Sequence, residues 1–210
     1  LYDTLGNYDV TLIVSSACGD DTIMQSVSAG LIYCDATYTS GSSLGDYLDG
    51  IYIGSINTIG NYYTSGITHV DNTNLSTTIA HNTSYTLLAR NGGYVGHIAA
   101  WIDYNLDGDF DDSLEYLGEV NNVAAMDTAY FSFTVPGFAV LADTRLRIRE
   151  AWSGSSPANI PPCGSLSYGE TEDYTVNISA VVSNKYGAIM SKGKMLIYPN
   201  PMTNMAYIEL

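Results

Sequence analysis

The sequence predicts an all-β fold, and three observations carry that reading. The 210 residues include 18 Tyr and 20 Gly, with only 14% charged residues, a composition suited to pleated, half-buried surfaces. Strand-length runs of alternating apolar and polar residues recur along the chain, separated by Gly, Asn, Asp and Ser. No stretch of ten or more residues shows the helical period. Together these give a β sandwich of jelly-roll or immunoglobulin-like type, with partial β-sandwich domains at both ends.

At the start, Tyr8, Val10, Leu12 and Val14 alternate with Asp9, Thr11 and Ile13. A turn at Cys18-Gly19-Asp20-Asp21 then leads into a second strand from Ile23 to Val27. Two strands bury no core, so residues 1–29 read as part of a domain. Residues 30–180 are long enough for one sandwich with a sizeable core. Its expected strands are Ile51 to Ile56, Tyr85 to Ala89, Tyr94 to Ile102, Ala129 to Val135, Thr144 to Ala151 and Tyr174 to Ile178. Phe131, Phe133 and Val135 share one face, as do Tyr174, Val176 and Ile178. Arg145, Arg147 and Arg149 alternate with Leu146 and Ile148, and internal pairing with carboxylates is the expected use of these arginines. Residues 181–194 read as a polar linker. Residues 195–210 read as the first strand of a further domain, its entrance marked by two prolines around an Asn.

Charge and composition narrow the function. Seven Lys+Arg stand against 22 Asp+Glu, for a formal charge of -15, which argues against nucleic acid as a partner. There is no polybasic cluster for an anionic membrane and no apolar run near the ~20 residues of a membrane helix. The chain begins with Leu and has no basic-then-apolar leader, so it reads as an internal or C-terminal portion of something longer. Three cysteines, Cys18, Cys34 and Cys163, allow one disulfide and leave one over. No Cys-x-x-Cys pair is present for zinc or redox chemistry.

One segment points to a ligand. Asp103, Asn105 and Asp107 stand at alternate positions and are followed by Gly108. Oxygen ligands at positions 1, 3 and 5, then a Gly able to turn sharply, suit a hard cation such as Ca2+. The expected ligands are the Asp103, Asn105 and Asp107 side chains, the main-chain carbonyl of Asp109 and the Glu115 carboxylate, with Asp111 or Asp112 as alternates. Leu114 occupies the place of an EF-hand's bidentate Glu, and no helices flank the loop. The expectation is therefore a calcium-stiffened loop within a β protein.

Catalytic patterns are missing from the sequence. His69, His81 and His97 lack His-Glu-x-x-His spacing, and there is no Gly-x-Ser-x-Gly elbow. His97, in an apolar strand, reads as a satisfied core or edge histidine. Glu170 and Glu172 share a strand face and read as structural acceptors or additional calcium ligands. Tyr62, Tyr63, Tyr94, Tyr104 and Tyr116 are candidates for a sugar-stacking platform, against the plainer reading of ordinary sheet tyrosines.

Three resemblances organise these readings. The words GNYDVTLIVSSACGDDT resemble the closing hairpin of a PKD domain, with Ser16 where that family usually has Asn. Tyr33-Cys34, WIDYNLDGDF, Thr144-Arg145-Leu146-Arg147, Pro162-Cys163 and Gly169-Glu170-Thr171-Glu172-Asp173 resemble, in that order, the GEVED domain, with Thr171 in place of the Val of its name. Tyr198-Pro199-Asn200-Pro201 resembles the start of a type A sorting domain of the type IX secretion system. The second resemblance implies a non-catalytic accessory module of secreted Bacteroidetes-type proteins, often beside peptidase domains and adhesin-like repeats. Cys34 and Cys163 bracket that block, which suits a disulfide joining its first and last strands. The expected function is thus a non-catalytic C-terminal region of a secreted or cell-surface protein, with the type IX machinery as partner. The alternatives are a glycan- or protein-binding adhesion module, or the accessory region of an extracellular peptidase.

Overall fold

The computed structural model describes residues 6–60, 64–155, 158–181, 196–198 and 207–209. All its regular elements are strands. β1 (Gly6–Ser16) and β2 (Gly19–Ala29) form a two-stranded antiparallel sheet. Ser16 pairs with Gly19, so the turn falls on Ala17-Cys18 and not across residues 18–21 as the sequence suggested. Gly19, at φ +126°, supplies the backbone freedom directly after those two residues. Leu12, Ile13, Val14, Ile23 and Met24 are exposed.

The central region contains β3 (Ala36–Gly41), β4 (Leu48–Ile53), β5 (Ile56–Asn57), β6 (His69–Ala80), β7 (Ser84–Asn91), β8 (Gly96–Ile102), β9 (Tyr116–Val123), β10 (Thr128–Thr134), β11 (Asp143–Trp152) and β12 (Gly164–Ser179). One sheet runs β10-β7-β4-β5, the other β3-β12-β11-β8-β9. β6 also pairs with β12, and both β3 and β6 run parallel to it. β3 pairs with residues 164–168 of β12 and β6 with residues 171–179, so the two lie end to end along one edge of the longest strand.

The two sheets bury a shared core. Ile51, Ile53, Leu87, Ala89, Ala129 and Phe131 come from the smaller sheet, and Ile98, Ala100, Ile102, Leu146, Ile148, Tyr174, Val176 and Ile178 from the larger. The period of two explains which residues these are, because alternate side chains of β8, β11 and β12 point to the same face. Every residue of β8 is nevertheless buried. The outer face of the larger sheet has a cover of its own, a second cluster of Tyr38, Ala99, Trp101, Phe110, Ala151 and Ile160, with Tyr33 and Leu166 packed against it.

A disulfide joins Cys34 to Cys163 with their Cα atoms 5.6 Å apart, as their placement around the block suggested. Each cysteine precedes one of two neighbouring parallel strands, and Ala36 pairs with Gly164 just beyond them. Closing a loop of 129 residues stabilises by about 4–5 kcal/mol in a loop-entropy treatment. Cys18 is free and exposed.

β13 (Leu196–Tyr198) pairs antiparallel with β14 (Tyr207–Glu209). The linker at 183–194, Met195, Pro199, Asn200, Pro201, Ala206 and Leu210 lie outside the described residues, as do Tyr62 and Tyr63.

Candidate metal centre

Residues 103–115 connect β8 to β9 and pack on the outer face of the larger sheet. Phe110 pins the loop: it is buried in the outer cluster, and its ring stacks on Tyr33 at 5.4 Å between centroids. The loop therefore rests on the segment that Cys34 holds in place.

Its polar side chains organise the backbone in a stepwise manner. Asp103 is fully buried; its Oδ1 accepts from Leu106 N at 2.6 Å, and its Oδ2 from Gly108 N at 3.1 Å and Tyr33 Oη at 2.8 Å. Asn105 Oδ1 accepts from Asp107 N, Asp107 Oδ1 from Asp109 N, and Asp109 Oδ1 from Asp111 N. These are successive Asx turns. Leu106 at φ +62° and Gly108 at φ +93° turn the chain through the left-handed region, the Gly where the sequence required it.

The expected ligand residues fall into two groups. The side-chain oxygens of Asp107, Asp109 and Asp112 converge within 4.8 Å of one another. Asn105 joins them, its Nδ2 donating to Asp107 Oδ2 at 2.7 Å and to Asp112 Oδ2 at 2.5 Å. Asp103 and Glu115 stand beneath as buried supports. Glu115 Oε1 accepts from Tyr104 N at 2.8 Å and from Asn105 N at 3.4 Å, while its buried Oε2 has no partner among the described residues. Burial pushes the Glu115 carboxyl up to about 7; the two backbone hydrogen bonds oppose this, and the charges of Asp103 and Asp107 add to it. Asp112, an alternate in the sequence reading, belongs to the converging set, whereas Asp111 does not. Asp109, expected to offer its main-chain carbonyl, joins the set through its side-chain carboxylate.

The arrangement suits a hard cation. All the converging groups are carboxylate oxygens apart from the Asn105 amide. Three exposed carboxylates that close together repel one another unless positive charge stands between them. Here the neutral amide of Asn105 bridges Asp107 and Asp112.

A second constellation surrounds the Gly169–Asp173 stretch of β12. Gly169 lies at φ +137°, and a Cβ there would collide with the Glu150 carbonyl oxygen and the Tyr38 ring. Beyond it, Thr171 and Asp173 face outward while Glu170 and Glu172 face the core. Asp173 stands directly opposite Arg147 in the sheet register and is fully buried. It takes Nε and Nη2 of Arg147 at 2.8 Å each, Nη1 of Arg145 at 2.7 Å, and has Nε2 of His69 at 3.0 Å. Burial alone would raise its carboxyl, but the hydrogen bonds from Arg147 and His69 and the arginine charges hold it well below the usual carboxylate range.

Arg149 departs from the carboxylate pairing expected of it. Its guanidinium donates to the carbonyls of Pro161, Cys163, Thr37 and Gly164. The arginines also lie over aromatic rings, Arg145 over Tyr33 at 4.5 Å, Arg147 over Phe110 at 5.1 Å and Arg149 over Tyr38 at 5.0 Å. This ladder, buried beneath the disulfide-tied segments, joins the outer cover to the sheet.

The other singled-out residues are placed as follows. Glu170 Oε2 accepts from Leu48 N at 3.2 Å, and Glu172 Oε2 from Tyr174 Oη at 2.7 Å, which makes both structural acceptors. His97 is buried, and its Nδ1 accepts from Asn122 N. Tyr104 is a core residue with 1% of its surface exposed, and this removes it from any exposed stacking platform. Tyr94 and Tyr116 are exposed, the latter tilted against Trp101 at 5.7 Å.

These features define a disulfide-stapled β sandwich with an acidic, hydrogen-bonded loop on its outer face. Within it, residues 97–177 match the family model of the GEVED domain, a non-catalytic accessory domain. No curated protein matches the chain.

Proposed function

We propose that this chain is the non-catalytic accessory region of a secreted or cell-surface protein, and that calcium bound by its 103–115 loop stiffens its sandwich. The observation that carries the reading is the convergence of Asp107, Asp109 and Asp112 within 4.8 Å above the buried, half-satisfied Glu115. An ion placed among them would relieve their repulsion and lock a loop that packs on the disulfide-held segment. The disulfide agrees with an oxidising compartment outside the cytosol.

Thermal melts with calcium and with chelator test this. Calcium binds the folded loop only, so at a hundredfold excess over the dissociation constant it should stabilise by about 2.7 kcal/mol. Asp107→Ala should abolish most of the loop's share of that shift. An unchanged midpoint on chelation would reduce the loop to an acidic turn.

The same reading includes export. Tyr198-Pro199-Asn200-Pro201 would open a type A sorting domain recognised by the type IX machinery, with the 183–194 segment as the place where it is cut from the mature protein. A reporter fused to the full chain with its complete sorting domain should reach the surface of a type IX-competent host. Equal export after deletion from Met195 onward would refute the sorting role.

A further inference from the structure

The outer face of the smaller sheet carries a row of side chains that the core does not use. The register sets Tyr130 of β10 directly opposite Leu88 of β7, and Tyr52 of β4 opposite the same Leu88 from the other side. Their neighbours along the strands, Phe131, Leu87, Ala89, Ile51 and Ile53, point into the core. The period of two therefore turns Tyr130, Leu88 and Tyr52 outward. Tyr130 is 63% exposed and Tyr52 44%, with Leu88 half-buried between them. Asn57 of β5, exposed and paired with Tyr52, extends the row by one strand.

The chemistry beside the row is neutral. Thr86 and Ser132, one step further along β7 and β10, face each other with their hydroxyl oxygens 3.3 Å apart. On the other flank Arg90 is already engaged, its Nε donating to the Met126 carbonyl at 3.3 Å and its Nη1 lying 3.4 Å from Asp49. In a chain of formal charge -15, the row and its hydroxyls offer no charge to a basic partner; they complement a neutral, hydroxyl-rich one. A second copy of the chain fits poorly, because homodimer interfaces are more apolar than ordinary surface and this row holds a single aliphatic side chain.

We propose that this face is a platform for an extended β-1,4-linked pyranose chain, with Tyr52 and Tyr130 as its stacking residues. Two strand spacings separate the tyrosines, about 10 Å, which is close to the length of a disaccharide repeat in such a chain. A glycan laid across the strands places alternate sugars over Tyr130 and Tyr52 and the intervening one over Leu88. The flat faces of these sugars present C–H groups, which the negative face of an aromatic ring attracts. Their edges present hydroxyls toward Thr86, Ser132 and Asn57. Strands whose inner faces are packed in the core hold both tyrosines in place before the ligand arrives, which lowers the ordering cost of binding. The platform is separate from the acidic loop and does not depend on calcium. None of the tyrosines that the sequence suggested for stacking belongs to it.

Calorimetric titration of the whole 210-residue chain with cellohexaose, xylohexaose and chitohexaose tests the assignment. At least one hexaose should bind, and its disaccharide, too short to engage both rings, should bind at least about tenfold more weakly. Tyr52→Ala and Tyr130→Ala should each weaken the hexaose about tenfold. Both side chains are exposed, so these variants keep the fold, which circular dichroism checks. Failure of all the hexaoses to bind would overturn the platform, as would binding that survives the double variant Tyr52→Ala, Tyr130→Ala. Self-association that the double variant abolishes, without any glycan binding, would assign the face to a second copy of the chain instead.

Discussion

Asp173 shows how one residue organises a face of the sandwich. Its two oxygens collect Arg145, Arg147 and His69, so removing its charge strands Arg147, which is 1% exposed. Asp173→Asn keeps the shape and should cost about 3–5 kcal/mol, the range for breaking a buried pair from one side. Chemical denaturation checks this, and a loss under 1 kcal/mol would show that the carbonyls of Cys34 and Pro162 suffice for Arg147. The sign with pH follows from the lowered carboxyl: its contribution is complete above the unfolded value of about 3.9 and is lost as pH falls through the folded one. The alternation of three arginines was visible in the sequence, but their recipient was not. Asp173 comes opposite Arg147 only through the β11–β12 register, and Arg149 turns to carbonyls because the disulfide-tied segments bring four of them within reach. The acidic loop was more legible, since Asx turns are local and depend on spacing alone. What spacing could not show is that Asp103 and Glu115 serve the backbone beneath while Asp112 joins the converging set. The pairing of Tyr52 with Tyr130 across Leu88 was missed altogether: the three lie on separate strands, and only the register sets them side by side.

At the scale of elements, the strands of the 30–180 block foreseen in the sequence were those buried on one face, while β1 and β2 were foreseen from alternation alone and are exposed. β7, β8, β10, β11 and the second half of β12 carry clean apolar alternation or continuous apolar runs. β3, β6 and β9 were not foreseen, and each has a physical reason. β6 reads HVDNTNLSTTIA and lies along the edge of β12 with half of its residues exposed, so Thr and Asn suit it as well as Val would. β9 is an edge strand interrupted by register shifts, which blur a period of two. β3 is short and parallel to a partner far away in sequence, and no local pattern announces such a pairing. The expected Ile51–Ile56 strand resolves into β4 and β5 because Gly54, at φ +55°, lets the chain double back. The outer cover, made from the 31–35 region, the acidic loop and the residues near Ile160, has no strand period at all. Cysteine placement was the sole sequence sign of it.

For the whole molecule, the buried acids make stability depend on pH in a direction opposite to that of Asp173. Burial, with help from neighbouring charge, pushes Glu170 up to about 8 and Glu172 to about 7, and Glu115 to about 7. Each folded value lies above the unfolded carboxyl value of about 4.3, so in this interval the native state holds more protons than the unfolded chain. Stability then falls as pH rises. In chelator, the melting midpoint should therefore be highest near pH 5 and decline toward pH 8, where these carboxyls must ionise inside the protein. Asp46 and Glu150, both raised chiefly by burial, add to the decline. Saturating calcium at the loop should remove only the Glu115 share of the slope, because a nearby divalent ion favours the ionised carboxylate that a proton otherwise neutralises. A chelated protein whose midpoint rises from pH 5 to pH 8 would mean that these acids are already charged and solvated in the native state. That result would contradict the burial that raises Glu115, Glu170 and Glu172.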